Sequence, residues 1–159
     1  MTSKYDKYIV TTPRPEHLTH YRLPPNIRRS MSFMDSNVVE GACNIECVWY
    51  YQPFDGPAHH VHNDTDEILG FFGTNQEDPE SLGGVIEFRF EDEWVTLDKS
   101  CMIYLPKGLA HCPFKIVEVN YPIFHFAISP GKKYAKPPEH VIKDADIKAQ
   151  AISFSEETK

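Results

Sequence analysis

The chain has 159 residues, of which 41% are hydrophobic and 25% are charged, and this composition indicates one ordinary globular domain rather than a disordered chain. The formal net charge is −7 and the basic residues form no dense run, which argues against nucleic acid as a partner. No stretch approaches the roughly 18 consecutive apolar residues of a membrane-spanning helix, so we expect no membrane association.

The beginning of the chain and the cysteines both favour a cytoplasmic protein. The first residues, "MTSKYDKYIVTTPRPEHL", carry charges and prolines where a secretory signal would have an apolar run. The four cysteines include no Cys-x-x-Cys pair and lack the spacing of a small disulfide scaffold. We therefore expect reduced thiols and a cytoplasmic location.

Residues 1–40 are predicted to form an N-terminal extension. Prolines interrupt any long helix in this part of the chain, although "KYIV" and "SMSFMD" favour short strands. We expect the extension to pack on the following domain or to exchange with the same segment of a partner copy.

Strand-forming patterns begin at Cys43. In "CNIECVWYY" the odd-numbered residues fall on one face and the even-numbered residues, including Glu46, fall on the other, as in a half-buried strand. Further short β-type runs follow between Gly, Pro, Asn and Asp breakers, and they are "EILGFF", "GGVIEFRF", "EWVTL", "CMIYL", "FKIVEV" and "PIFHFAI". This succession predicts an all-β barrel or sandwich over residues 41–130, followed by a charged, proline-broken C-terminal tail over residues 131–159.

The segment "GPAHHVHNDTDE", residues 56–67, combines histidines and carboxylates in a way that predicts metal binding. Because residues i and i+2 of a strand point the same way, His60 and His62 would project together while His59 faces the opposite side. Glu67 opens the next apolar run, and a hairpin would return it toward the two histidines. Imidazole and carboxylate ligands of this kind suit Fe, Mn, Zn, Ni or Cu.

A second segment, "YLPKGLAHCP", contributes a fourth candidate ligand. Pro106 and Gly108 predict a turn after the strand "CMIYL", and His111 follows the turn. A barrel brings distant strands side by side with alternate side chains directed inward, so His111 could reach the first group. The predicted metal ligands are therefore His60, His62, Glu67 and His111, with Glu67 acting either as a direct ligand or as a base.

Together these two segments resemble the paired motifs of the cupin superfamily. The first motif corresponds to Gly56, His60, His62, Glu67 and Gly73, and the second to Pro106, Gly108 and His111. The resemblance extends over residues 43 to 128. It implies a double-stranded β-helix, the jelly-roll cupin barrel, with a metal at its centre, and a homodimeric state.

Three further residues are candidates for catalysis. Glu46 and His125 alternate with apolar neighbours in predicted strands and would serve as general bases if they face the pocket. The alternatives are a surface carboxylate and a satisfied core histidine. Tyr104 would either donate its hydroxyl into the pocket or stack in the core. Arg28 and Arg29 could bind a substrate carboxylate, but a surface position is favoured.

The ligand set predicts a catalytic metal rather than a structural one. Three histidines and one glutamate fill at most four of roughly six positions around a transition metal, which leaves room for water, substrate or O₂. The predicted function is a metal-dependent dioxygenase, with iron as the leading metal, that acts on a small oxygenated organic molecule. Two alternatives remain open: a non-oxidative isomerase, lyase or decarboxylase with the metal as Lewis acid, and a small-molecule binding module without turnover.

Overall fold

The computed structural model describes residues 3–12 and 23–130, and within these ranges the regular secondary structure is almost entirely β-strand. The described residues form one short 3-10 helix, Asp6–Tyr8, and nine strands: β1 Arg28–Met34, β2 Asn44–Tyr50, β3 Phe54–Asp55, β4 Glu67–Phe72, β5 Ser81–Phe90, β6 Glu93–Lys99, β7 Cys101–Leu105, β8 His111–Val119 and β9 Ile123–Ser129. The all-β prediction is confirmed. Among these residues no helix has the length and apolar character needed to cross a membrane.

The strands form two antiparallel sheets with the order β1-β2-β9-β4-β7 in one and β3-β8-β5-β6 in the other. From β2 onward the chain crosses from one sheet to the other after almost every strand. Within each sheet, a late strand lies between two early ones: β9 lies between β2 and β4, and β8 lies between β3 and β5. This interleaving is the arrangement of an eight-stranded jelly roll. The predicted jelly-roll fold is therefore confirmed, and β1 is added outside β2 as an edge strand.

The two ends of the chain differ in how far the structure describes them. Part of the predicted extension, Arg28–Met34, forms β1 and pairs antiparallel with β2. The strand predicted at "KYIV" is wrong, because the backbone at Asp6–Tyr8 forms the 3-10 helix. The predicted tail, residues 131–159, lies outside the described residues. The domain limits at residues 40 and 130 remain predictions.

The apolar core lies between the two sheets, further along the strands than the predicted ligands. Phe71 and Phe88 are fully buried, and the Phe71 ring centroid lies 5.6 Å from that of Phe114. Burial of each such side chain stabilises the fold by about 1.5–3 kcal/mol. Because β4 and β8 begin with Glu67 and His111 and continue into this core, the packing of the core fixes where the ligand side chains stand.

Candidate metal centre

Four side chains that the sequence predicts as ligands meet between the two sheets. One donor atom from each of His60, His62, Glu67 and His111 lies within 4.8 Å of the other three. Ligand atoms bound to one ion at about 2.0–2.2 Å are separated by roughly 4 Å or less, so the cluster could hold a metal ion after a small contraction. His62, Glu67 and His111 are buried, whereas His60 is half-buried and borders the solvent side.

The backbone around His60 and His62 is not the regular strand that we predicted. The segment leaves β3 in one sheet and enters β4 in the other, and only an isolated β-bridge joins His60 to His111. In this bridge the His60 N–H donates to the His111 carbonyl at 3.0 Å, and the His111 N–H donates back at 2.9 Å. The Gly108 N–H also donates to the His62 carbonyl at 2.7 Å, so both histidines are fixed against the second predicted segment.

Two of the three histidine rings are oriented in the way that metal ligands require. Nδ1 of His60 lies 2.8 Å from the Ala58 carbonyl, and Nδ1 of His111 lies 2.9 Å from the Leu109 carbonyl. A ring whose Nδ1–H donates to a carbonyl presents Nε2 to a metal, as in most protein metal sites. The donor set and its supporting carbonyls therefore fit a divalent transition metal.

The electrostatics of the cluster also suit a cation. Glu67 Oε2 lies 3.1 Å from His111 Nε2 and 3.6 Å from His62 Nε2, so the carboxylate is close to two of the three imidazoles. Burial lowers the pKa of His62 below its usual 6.5, which keeps that ring in the neutral form that binds metals.

His59 and Cys112 support the cluster from outside. His59 is not part of the ligand cluster, and its Nδ1 contacts the Cys112 carbonyl at 2.6 Å. Cys112 follows the ligand His111 and has a positive φ of 59°, so this contact fixes a backbone turn next to a ligand. The Cys112 thiol is buried, and burial raises its pKa, which makes it an unreactive packing group.

His125 lies in the aromatic core rather than beside the ligands. Its ring stacks on Phe71 at 4.4 Å and on Tyr50 at 5.3 Å, and its Nδ1 lies 2.9 Å from the Gly70 carbonyl. Burial lowers the pKa of His125 to about 4, so the ring is neutral at pH 7. This is the placement of a satisfied core histidine, and its catalytic role remains a prediction.

Glu46 points into the barrel and is paired there with an arginine. Its Oε1 accepts a hydrogen bond from Arg28 Nη2 at 2.7 Å, and Arg28 Nη1 donates to Ser30 Oγ at 2.9 Å. The surface position expected for Arg28 is wrong, because its side chain is only 5% exposed. The sequence could not show which face of β2 points inward, because both faces carry apolar residues. In the structure, Val48 and Tyr50 are buried, so the face that they share with Glu46 is the inward one.

Tyr104 lies on the outer face of β7, where it is 60% exposed. The carboxylate of Asp66 accepts a hydrogen bond from its hydroxyl and raises the Tyr104 pKa. The inward position next to it belongs to Leu105, which pairs with Glu67. The structure therefore does not bring Tyr104 to the ligand cluster. Both predicted positions of its side chain, in the pocket and in the core, are wrong.

Jelly-roll topology and a His-His-Glu-His cluster between the sheets define the class of protein: the chain has the cupin fold with a candidate metal centre. No family model matches the chain, and neither does any curated protein.

Solved structures with a similar fold include several cupins. They include KdgF from Halomonas sp., with 17% identity over 70% of this chain and 86% of that chain and a TM-score of 0.44. A cupin-2 domain containing protein from Shewanella frigidimarina has 21% identity over 62% of this chain and 76% of that chain, with a TM-score of 0.37. An oxalate oxidase in complex with the substrate analogue glycolate has 12% identity over 69% of this chain and 54% of that chain, with a TM-score of 0.47. At such low identities the similarity concerns the fold alone.

Proposed function

We propose that the protein is a metal-dependent enzyme that acts on a small oxygenated organic molecule, and that its reaction is a dioxygenation with iron as the metal. The observation that carries the proposal is the convergence of three imidazoles and one carboxylate, from the β3–β4 segment, β4 and β8, to within 4.8 Å of one another. Imidazole and carboxylate ligands are those of non-haem Fe(II) oxygenases.

The position of the cluster supports a catalytic site. Three of the ligands are buried, and the fourth, His60, is half-buried, so one side of the cluster faces solvent and could admit a small molecule. Catalytic metal sites keep such an open position, whereas structural sites are closed by protein ligands on all sides. When bound, the metal would polarise a chelating substrate and, as iron, activate O₂.

The residues of this chain would orient the substrate and exclude water. Leu69 continues β4 from Glu67 into the core, and Ala127 of β9 is its cross-strand partner. Leu69 is buried and Ala127 half-buried, so the wall next to the ligands is apolar. A substrate that binds the metal through two oxygen atoms would place its carbon skeleton against this wall.

Oxygen uptake after anaerobic loading with Fe(II) tests the reaction class. Chelating compounds of the enediol, catechol and β-diketone types would be mixed with the loaded protein, with His111→Ala as the control that lacks a ligand. Substrate-dependent O₂ consumption by the wild type alone supports the proposal. Turnover without O₂ by Zn- or Ni-loaded protein would replace dioxygenation with a non-oxidative reaction, and tight binding without turnover would replace it with a binding function.

A further inference from the structure

Two polar side chains that face each other across β2 and β9 carry buried atoms without a partner. Asn44 is the cross-strand neighbour of Ser129, and the two residues are 5% and 1% exposed. Among the residues that the structure describes, none forms a hydrogen bond with Asn44 Oδ1 or Ser129 Oγ. Buried polar atoms in native proteins are almost always hydrogen-bonded, so two adjacent exceptions point to a ligand that supplies the missing bonds.

The register of the sheet places this pair next to the metal ligands. Ile128 of β9 pairs with Ile68 of β4, so the following position in this antiparallel ladder sets Ser129 beside Glu67. Both residues lie on the inward face, because they alternate with residues that face outward. Asn44, Ser129 and Glu67 therefore form one row across the inner surface. Adjacent side chains of such a row are about 4.5–5.5 Å apart, which is within reach of one small molecule.

The charges around this row favour a neutral polar group. The next inward position on β2 is Glu46, whose carboxylate is paired with Arg28 at 2.7 Å, and Glu67 lies on the other side of the row. Because the charges of Arg28 and Glu46 offset each other, Glu67 is the charge that remains beside the row, and it would repel a substrate carboxylate. A hydroxyl group can donate to an amide oxygen and accept from a serine hydroxyl, so it satisfies both unpartnered atoms at once.

We propose that Asn44 and Ser129 form a subsite that binds a hydroxyl group of the metal-bound substrate. The substrate class is then a chelating molecule with a further hydroxyl beyond the two oxygen atoms that reach the metal. This inference rests on the proposed metal-dependent function, because the metal places one end of the substrate and the Asn44–Ser129 pair selects the other.

Two matched chelators test the subsite without any need for turnover. Kojic acid and 5-hydroxy-2-methyl-4-pyranone bind metals through the same hydroxy-ketone group, and only kojic acid has an additional hydroxyl on the ring substituent. Calorimetric titration of Zn-loaded protein should show roughly tenfold tighter binding of kojic acid, equivalent to about 1.4 kcal/mol. Ser129→Ala and Asn44→Leu should remove this preference and leave the affinity for the methyl compound unchanged.

Ser100→Ala provides the matched control, and thermal unfolding provides the second readout. The Ser100 hydroxyl accepts the Gly73 N–H at 3.0 Å, beyond the opposite end of β4, so its loss should lower Tm and keep the preference for kojic acid. Ser129→Ala removes an unpartnered hydroxyl, so its Tm should stay at the wild-type value.

The possible outcomes separate the subsite from the metal centre. Equal affinity of the wild type for both chelators would overturn the subsite, as would a preference that survives in both variants. A fall in Tm for Ser129→Ala with no change in preference would assign the hydroxyl a structural role and overturn it as well. Failure of either chelator to bind the Zn-loaded wild type would instead contradict the proposed metal centre.

Discussion

The imidazole of His111 contacts the Leu109 carbonyl through Nδ1, and its Nε2, the atom presented to a metal, lies 3.1 Å from Glu67 Oε2. We predict that His111→Ala weakens metal affinity by at least about tenfold, since loss of even an outer partner of a metal ligand has an effect of that size. Competition with a fluorescent chelator and elemental analysis measure the change. Met102→Ala is the control, because Met102 is 69% exposed and is not part of the cluster. Equal losses in the two variants would contradict the ligand assignment.

The Arg28–Glu46 pair is an ionic contact on the inner side of the barrel, with side chains that are 5% and 22% exposed. We predict that Glu46→Gln lowers the free energy of unfolding by about 3 kcal/mol, because the buried guanidinium of Arg28 loses the carboxylate that it contacts at 2.7 Å. The double variant Arg28→Met/Glu46→Leu should recover most of this loss. Urea denaturation measures both values. A single variant as stable as the wild type would show that the pair is well solvated.

The buried ring of His125 predicts a pH dependence of stability. Its folded-state pKa of about 4 lies below the usual 6.5, so in acid the unfolded chain binds a proton that the folded protein does not. Stability is therefore complete above pH 6.5 and falls as the pH decreases toward 4, by at most about 3 kcal/mol from this residue.

His125→Phe isolates this contribution, because Phe keeps the stacking on Tyr50 and Phe71 but cannot be protonated. Urea midpoints between pH 7 and pH 4.5 should fall less steeply in the variant than in the wild type. Parallel curves would mean that water reaches the ring and that its pKa is not depressed.

At the scale of single elements, the end of β4 and the start of β5 approach more closely than a side chain allows. A Cβ added at Gly73 would overlap the Ser81 carbonyl oxygen. We predict that Gly73→Ala lowers the free energy of unfolding by about 2–3 kcal/mol, because backbone must move where the chain crosses between the sheets.

Gly108→Ala is a useful comparison for this effect. Gly108 has a φ of +86°, but no atom lies within 4 Å of an added Cβ, so only the left-handed conformation disfavours alanine, by about 1 kcal/mol. Urea denaturation ranks the two variants. A smaller loss at Gly73 than at Gly108 would show that the β4–β5 crossing relaxes easily.

Strands were predictable from sequence where a short apolar run lies between strong breakers. "EILGFF" and "CMIYL" coincide with β4 and β7, because Asp66 and Gly73 flank the first run and Ser100 and Pro106 flank the second. The two-residue strand β3 has no such signal, since a pairing of that length depends on its partner β8. Strand β8 also begins three residues earlier than its apolar run, at His111, because its pairing with β5 continues to Phe90 and His111.

The inward face of β2 could not be predicted in the same way. Trp49 lies on the outer face against Phe124, with ring centroids 5.1 Å apart, while Tyr50 faces the core. Both faces of the strand therefore carry aromatic residues, and local alternation cannot distinguish them. The Arg28–Glu46 pair was missed for this reason. The Asn44–Ser129 pair was missed as well, because only the register between β2 and β9 places these two residues opposite each other.

At the scale of the whole molecule, the ligand cluster connects parts of the chain that are far apart in sequence. Glu67 belongs to the five-stranded sheet and His111 to the four-stranded sheet, while His60 and His62 lie in the segment that joins them. The sequence predicted this convergence through the spacing of the two histidine motifs, although the strand expected around His60 is wrong. The prediction succeeded because the fold, not the local backbone, brings the two motifs together.

An ion bound between the sheets would stabilise the folded molecule, because the unfolded chain has no preformed site. We predict that removal of the metal with a chelator lowers Tm by about 5–10 °C, which corresponds to about 2.7 kcal/mol at a free metal concentration 100-fold above Kd. Return of Zn²⁺ or Fe²⁺ should restore Tm. Ca²⁺ should not, because it prefers oxygen ligands and this cluster offers three imidazoles. Differential scanning calorimetry gives these values. If Ca²⁺ were as effective as Zn²⁺, or if no metal changed Tm, the four side chains would not act together as one site that connects the two sheets.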